Sequence, residues 1–116
     1  MKNLSIIIPV YNEVNTVSIV LHNLKKLKLY ENYESQLIIV DDNSNDGSRE
    51  LLKKLEKDDN FKNEIFIYKD KNLGKGDSQK IAIPLCEGSY TVIQDADLEY
   101  NVENINSLLE LCIKKD

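Results

Sequence analysis

Four short apolar runs recur along this chain, and each is followed by a polar turn and a stretch with helical spacing. The runs are Leu4-Ser5-Ile6-Ile7-Ile8-Pro9-Val10, Leu37-Ile38-Ile39-Val40, Ile65-Phe66-Ile67-Tyr68 and Tyr90-Thr91-Val92-Ile93. They are rich in β-branched residues and nearly continuous, as expected of strands covered on both faces. Between them, apolar residues fall at i, i+3, i+4 and i+7, the spacing of one helix face. Val17, Val20, Leu21 and Leu24 mark the first helix, with Asn15 as its expected cap. Leu51, Leu52 and Leu55 mark a second, which starts at Ser48. Ile81, Ala82 and Leu85 mark a third, and Ile105, Leu108, Leu109, Cys112 and Ile113 a fourth. Pro84 lacks an amide and crowds the carbonyl of Lys80, so the third helix is expected to kink or stop there. Repeated β-α units imply parallel strands joined by right-handed crossovers. The expected fold is therefore α/β, a three-layer sandwich with a mainly parallel sheet.

Size and charge narrow the function. The chain has 116 residues, enough for a single domain over 1–116. Of these, 41% are hydrophobic and 30% charged, and a chain this long buries roughly 65% of its unfolded surface on folding. With 4 Gly and 2 Pro it belongs to neither the collagen-like nor the low-complexity class. Fifteen basic and 20 acidic residues give a net charge of −5, which argues against nucleic acid as a partner. Cys86 and Cys112 lie apart in helix-like patterns and are expected to be buried thiols in a reducing compartment. Leu4–Val10, the longest apolar run, is too short to cross a bilayer, and no small-residue cleavage site follows it. The expected location is cytoplasmic, with any contact at the cytoplasmic face of a membrane peripheral.

In parallel α/β sheets, ligands gather beyond the carboxyl ends of the strands. Three acidic clusters stand there: Tyr11-Asn12-Glu13, Asp41-Asp42 and Asp95-Ala96-Asp97. Like charges on one edge repel unless a cation or ligand donors sit among them. In extended backbone, Asp95 and Asp97 point to the same side, and Glu99 continues the parity. Paired carboxylates of this kind suit Mg²⁺ or Mn²⁺ shared with substrate phosphates. The ordinary alternative is acidic residues complementing the dipole of the following helix. Asp41-Asp42 reads either as a turn with a helix cap or as acceptors for a nucleobase N–H or ribose hydroxyl. A calcium-binding loop starting at Asp42 fails, because Lys53 stands where a bidentate Glu is needed. Asn72-Leu73-Gly74-Lys75-Gly76 allows close backbone approach to a ligand but matches no Walker loop or full dinucleotide fingerprint. His22, Tyr30 and Tyr33 read as satisfied or packing residues, and Lys25-Lys26-Leu27-Lys28 as a solvated helix end.

Taken in order, four motifs resemble a family 2 glycosyltransferase of the GT-A fold. They are Ile8-Pro9-Val10-Tyr11-Asn12-Glu13, Val40-Asp41-Asp42-Asn43-Ser44-Asn45-Asp46-Gly47-Ser48, Asn72-Leu73-Gly74-Lys75-Gly76, and Gln94-Asp95-Ala96-Asp97-Leu98-Glu99-Tyr100. The last two are most similar to the polyprenyl-phosphate hexosyltransferase branch. The resemblance implies a strand order of 3-2-1-4 and transfer of a hexose from a UDP- or GDP-sugar, with a polyprenyl phosphate as acceptor. It places Pro9, Tyr11 and Glu13 in the nucleotide pocket, Asp41 on the base and Asp42 near the base or ribose. Lys75 and Gly76 would lie near the sugar-phosphate. Asp95, Asp97 and Glu99 would hold Mg²⁺ or Mn²⁺ against the diphosphate, with Asp95 shared between metal and nucleotide. The branch has small residues where Asp77 and Ser78 stand, and Asp-Pro where Asn101 and Val102 stand.

The family's domain also extends further than this sequence, so the expectation is a C-terminally truncated donor-binding half. Its acceptor-binding residues and general base would lie outside the chain, and alone it would transfer little sugar. The fourth strand, at the sheet edge, would be a site for homo-oligomer pairing. Two other classes fit less well. A response-regulator receiver needs a lysine after a later strand. A dehalogenase-type phosphatase using Asp95 and Asp97 needs that motif after its first strand. A non-catalytic nucleotide-sugar-binding module differs from the transferase only in turnover.

Overall fold

The computed structural model describes residues 2–98 and 101–115. Four strands form one sheet: β1 (Asn3–Val10), β2 (Glu34–Asp41), β3 (Ile65–Tyr68) and β4 (Tyr90–Ile93). Four helices separate or follow them: α1 (Val17–Lys26), α2 (Ser48–Glu56), α3 (Lys75–Ala82) and α4 (Asn104–Lys115). The sheet order is β3-β2-β1-β4 and every pairing is parallel, as expected. β1 is central, so the winding reverses direction between β3 and β4, on either side of it.

Alternate residues of β1 and β2 fill the two faces. Leu4, Ile6, Ile8, Leu37 and Ile39 pack with Val17, Val20, Leu21 and Leu24 of α1, Leu52 of α2, and Ile105 and Leu109 of α4. Ile7, Ile38 and Val40 face the other way, onto Ala82 of α3 and the half-buried Ile65, Ile67 and Cys86. Three helices thus cover one face and a single short helix the other. Burying each of these aliphatic side chains contributes roughly 1.5–3 kcal/mol.

Several expectations need correction. α1 is capped by Thr16 rather than Asn15, and the Thr16 side chain makes no capping bond. β2 begins three residues earlier than its apolar run, at Glu34, because parallel pairing with Asn3, Leu4 and Ser5 recruits Glu34, Ser35 and Gln36. Inside that polar segment the Ser5 hydroxyl donates to Gln36 Oε1 at 2.5 Å. α3 stops at Ala82, and Pro84 lies in the 3₁₀ turn Ile83–Leu85 that follows, as its missing amide requires. Leu85 and Leu108, read as helix-face positions, are exposed. The thiols are free, but Cys86 is only half-buried and Cys112 is exposed.

Pro9 shapes the upper end of the sheet. β1 pairs with β4 only from Leu4 to Ile7. Ile7 O accepts from Gln94 N at 2.9 Å, and Pro9 points to that same side two residues later, where β4 has ended. A missing N–H therefore costs no ladder bond there. Beyond this point β1 and the chain after β4 diverge.

Candidate active site

That divergence opens a cleft of about 250 Å³ at the carboxyl edge of the sheet. Pro9, Val10, Tyr11 and Glu13 line it from the end of β1, and Asp42 from the end of β2. Lys75 and Ser78 line it from α3, and Asp95, Ala96 and Asp97 from the segment after β4. Seven of the expected site residues therefore share one cleft. Three do not appear in its wall: Asp41 lies fully buried beneath, Gly76 stands outside, and Glu99 falls outside the described residues. A Cβ added at Gly76 would meet nothing within 4 Å.

The turn formers of residues 43–48 serve as a clamp on the neighbouring loop. Asn12 takes a left-handed φ of 53°, and its amide donates to Ser44 Oγ at 2.9 Å. Glu13 N donates to Ser48 Oγ at 2.9 Å, and Val14 N to Asp46 Oδ2 at 3.2 Å. Asn45 N returns a bond to Asn12 Oδ1 at 2.9 Å. Burial pushes the Asp46 carboxyl up, but bonds from the Ser48 hydroxyl and from backbone amides outweigh it and hold the group below its ordinary value. Gly47 turns the chain into α2 at φ 103°, a backbone conformation that residues with a side chain rarely adopt.

Asp41 and Asp42 are adjacent but differently bound. Asp41 Oδ2 accepts from Ser44 N at 3.2 Å and lies 3.7 Å from Arg49 Nη1. Its Oδ1 is buried without a hydrogen-bond partner among the described residues. Arg49 is held by Asn43 Oδ1 and the Lys69 carbonyl, over the Tyr68 ring. Asp42 accepts from Leu73 N at 3.0 Å and Gly74 N at 2.9 Å, and pairs with Lys69 Nζ at 2.7 Å. Burial pushes the Asp42 carboxyl up; the Lys69 bond and the two amides outweigh it and keep the group below its ordinary value.

Across the cleft, the Lys75 ammonium donates to Asp95 Oδ1. The Asp95–Asp97 segment is tied down from two sides. The Thr16 hydroxyl donates to the Ala96 carbonyl at 2.7 Å, and Gln94 Nε2 donates to the Asp95 carbonyl at 3.2 Å. Thr16 thus spends its hydroxyl on the acidic segment instead of on capping α1. Thr16, Ser44, Asp46, Ser48, Arg49 and Lys69 are the residues that sequence reasoning missed. Only Ser44, Asp46 and Ser48 carried a signal, as members of the motif Val40–Ser48, with no role assigned.

The carboxylates of Asp95 and Asp97 offer hard oxygen donors in the cleft wall. Among the described residues no three His, Cys, Asp or Glu side chains converge into a protein-only cage. Two carboxylates suit a divalent ion that keeps waters and takes further oxygens from a bound diphosphate. Asp95 already seats one positive charge, that of Lys75. The residues fit such an ion.

The family model described as "Glycosyl transferase family 2" matches residues 5–116. An "Undecaprenyl-phosphate 4-deoxy-4-formamido-L-arabinose transferase" of Pseudomonas fluorescens (strain SBW25) is 32% identical over 106 residues, 91% of this chain and 31% of the relative. One of the same name from Pectobacterium atrosepticum is 31% identical over 110 residues, 95% of this chain and 33% of the relative. The chain thus spans about a third of the length of these relatives. Among solved structures, S. aureus TarS 1-349 in complex with UDP-GlcNAc superposes with a TM-score of 0.73 at 24% identity, over 98% of this chain and 32% of that one. The mannosyltransferase PcManGT from Pyrobaculum calidifontis, in complex with GDP-Man and Mn²⁺, gives a TM-score of 0.73 at 21% identity, over 90% and 31%. At such identities these two structures speak for the fold.

Proposed function

Because the chain belongs to glycosyl transferase family 2, we propose that it binds a nucleoside diphosphate sugar as the donor-binding part of a metal-assisted hexosyltransferase. The observation that carries this reading is the meeting of Glu13, Asp42, Lys75, Asp95 and Asp97, from four separate segments, on one cleft. The nucleotide would lie along β1, with Pro9, Tyr11 and Glu13 around the base and ribose and Asp42 beside them. Asp41, whose Oδ1 lacks a donor from the described residues, would accept a ring N–H of the base only after a movement that uncovers it, since its side chain is fully buried here. Lys75 and Gly76 would face the diphosphate. Asp95 and Asp97, with Glu99, would hold Mg²⁺ or Mn²⁺. When bound, that ion neutralises the leaving diphosphate. Lys75 would add a second cation to the same oxygens once it leaves Asp95.

UDP and GDP are both candidates, because the solved neighbours carry UDP-GlcNAc and GDP-Man. A polyprenyl phosphate is the acceptor we assign, after the relatives' names. The place we assign is the cytoplasmic face of the membrane, held peripherally; no helix among the described residues is long and apolar enough to cross a bilayer. The outer edge of β4 would be the surface for pairing with a second copy. A receiver module is disfavoured, because the glycosyl transferase family 2 model matches residues 5–116.

Calorimetry with UDP- and GDP-sugars, in Mn²⁺ and in EDTA, tests the reading. One nucleotide is expected to bind in Mn²⁺ and to lose at least tenfold in affinity in EDTA. Asp97→Asn should remove about 1–3 kcal/mol of the diphosphate's affinity, the scale of a hydrogen bond to a charged group. It should leave nucleoside binding within twofold. A chain that binds neither nucleotide in Mn²⁺ would overturn the assignment.

A further inference from the structure

The loop before α3 rests on a buried cation to which the proposed function gives no role. Lys69 follows β3 and is 7% exposed. Its Nζ lies 2.7 Å from Asp42 Oδ1 and 2.8 Å from Asp77 Oδ2. It also donates to Ser78 Oγ at 3.2 Å and to the Gly74 carbonyl at 3.4 Å. One ammonium therefore joins the end of β2, the loop at Gly74 and the first turn of α3. Asp42 completes the knot by accepting from Leu73 N and Gly74 N. Asp42 cannot move away from Lys69 without leaving a buried carboxylate short of its cation, which is strongly unfavourable. Lys75, the first residue of α3, projects from this fixed turn to Asp95 across the cleft.

We propose that Lys69 is a positioning residue for the donor diphosphate. By tying Asp42 to Asp77, it sets where Lys75 and Gly76 stand relative to Asp95 and Asp97. It is absent from the cleft wall and acts through the turn it holds. The proposal rests on the donor-binding reading above. It also gives Asp77 and Ser78 a purpose, since both partner Lys69. Gly74, at φ 94°, supplies a backbone conformation in which its amide donates to Asp42 while its carbonyl accepts from Lys69.

Two variants separate positioning from mere stability. Lys69→Met leaves two carboxylates without their cation, so thermal stability and nucleotide affinity should both fall. Adding Asp77→Ala removes the more exposed of those carboxylates, so part of the lost thermal stability should return. The first turn of α3 would still lack its ammonium link to Asp42, and the two amide bonds to Asp42 would have to hold the loop without it. The double variant, measured as folded protein, should bind UDP or GDP in Mn²⁺ at least tenfold more weakly than the parent. Amide exchange at Leu73 and Gly74 should be at least tenfold faster than in the parent. Affinity that returns together with stability would overturn the proposal, as would parental exchange rates at Leu73 and Gly74. Should Lys69→Met fail to fold, the double variant alone decides. A parent that binds neither nucleotide would sink the donor-binding reading, and the exchange rates would still decide whether Lys69 fixes the turn.

Discussion

Asp42 shows how a single side chain links folding to pH. Its carboxyl is held below its ordinary value because bonds from Lys69, Leu73 and Gly74 outweigh the cost of burial. A depressed carboxyl contributes stability that is fully present above its unfolded pKa of about 3.9 and is lost as pH falls through the folded value. Asp46 acts in the same sense. Lys69 has the opposite sign: burial pushes it down, but Asp42 and Asp77 outweigh that and hold it above its ordinary value. Its contribution is present below about pH 10.4 and fades as pH rises through the folded pKa. Stability measured in urea should therefore be flat, as far as these groups decide, from pH 5 to 9 and should decline below about pH 4. Asp42→Asn should cost about 3 kcal/mol at pH 7, the scale of breaking one partner of a buried pair. It should also flatten the acid limb, leaving the part due to Asp46. An acid limb unchanged in Asp42→Asn would place its origin elsewhere. At this scale the sequence was read unevenly. Asp41, Asp42, Asp95 and Asp97 stand out because carboxylates cluster at strand ends. Lys69 and Thr16 do not, because each ties in a distant segment, Asp42 27 positions away and Ala96 80 positions away, and no local pattern marks such a pairing.

At the scale of elements, periodicity located all four strands and all four helices but misjudged what some faces meet. The strand cores were legible because a strand buried on both faces must be apolar throughout. The polar start of β2 was not, since Glu34, Ser35 and Gln36 join the ladder only because Asn3, Leu4 and Ser5 lie opposite. Leu85 follows helical spacing yet is exposed, because Pro84 ends α3 before that position can face the sheet. The entry into β4 has its own constraint. Gly88 N donates to Ser5 Oγ at 2.8 Å, and a Cβ at Gly88 would come within 2.5 Å of Ser5 N, 2.8 Å of Ser5 Oγ and 2.8 Å of Tyr90 O. Backbone atoms cannot yield as side chains do. Gly88→Ala should therefore destabilise the fold by about 1–3 kcal/mol, the usual scale of overpacking. A shifted urea midpoint would register it, and an unchanged midpoint would show that β4 can slide without loss.

At the scale of the whole molecule, the described residues are lopsided: α1, α2 and α4 cover one sheet face, and among these residues α3 is the helix on the other. On the thin side, Ile81, Ile83, Leu85 and Ile93 remain exposed. Ile8→Ala, in the thick core, is expected to cost about 2–5 kcal/mol in urea unfolding. Leu85→Ala should stay within about 0.5 kcal/mol, as surface changes do. Equal costs would mean that Leu85 is covered in solution. The order β3-β2-β1-β4 has a further consequence, one of timing. Leu4 pairs with Tyr90, 86 residues later. At roughly 5–20 residues per second, synthesis leaves that flank of β1 without its neighbour for about 4–17 s. Asp95 and Asp97 emerge only after that neighbour, so the cleft cannot be completed before β4 has been made. Until then, on the ribosome, an apolar strand presents its unpaired amides to whatever passes, and a chaperone has its reason to attend.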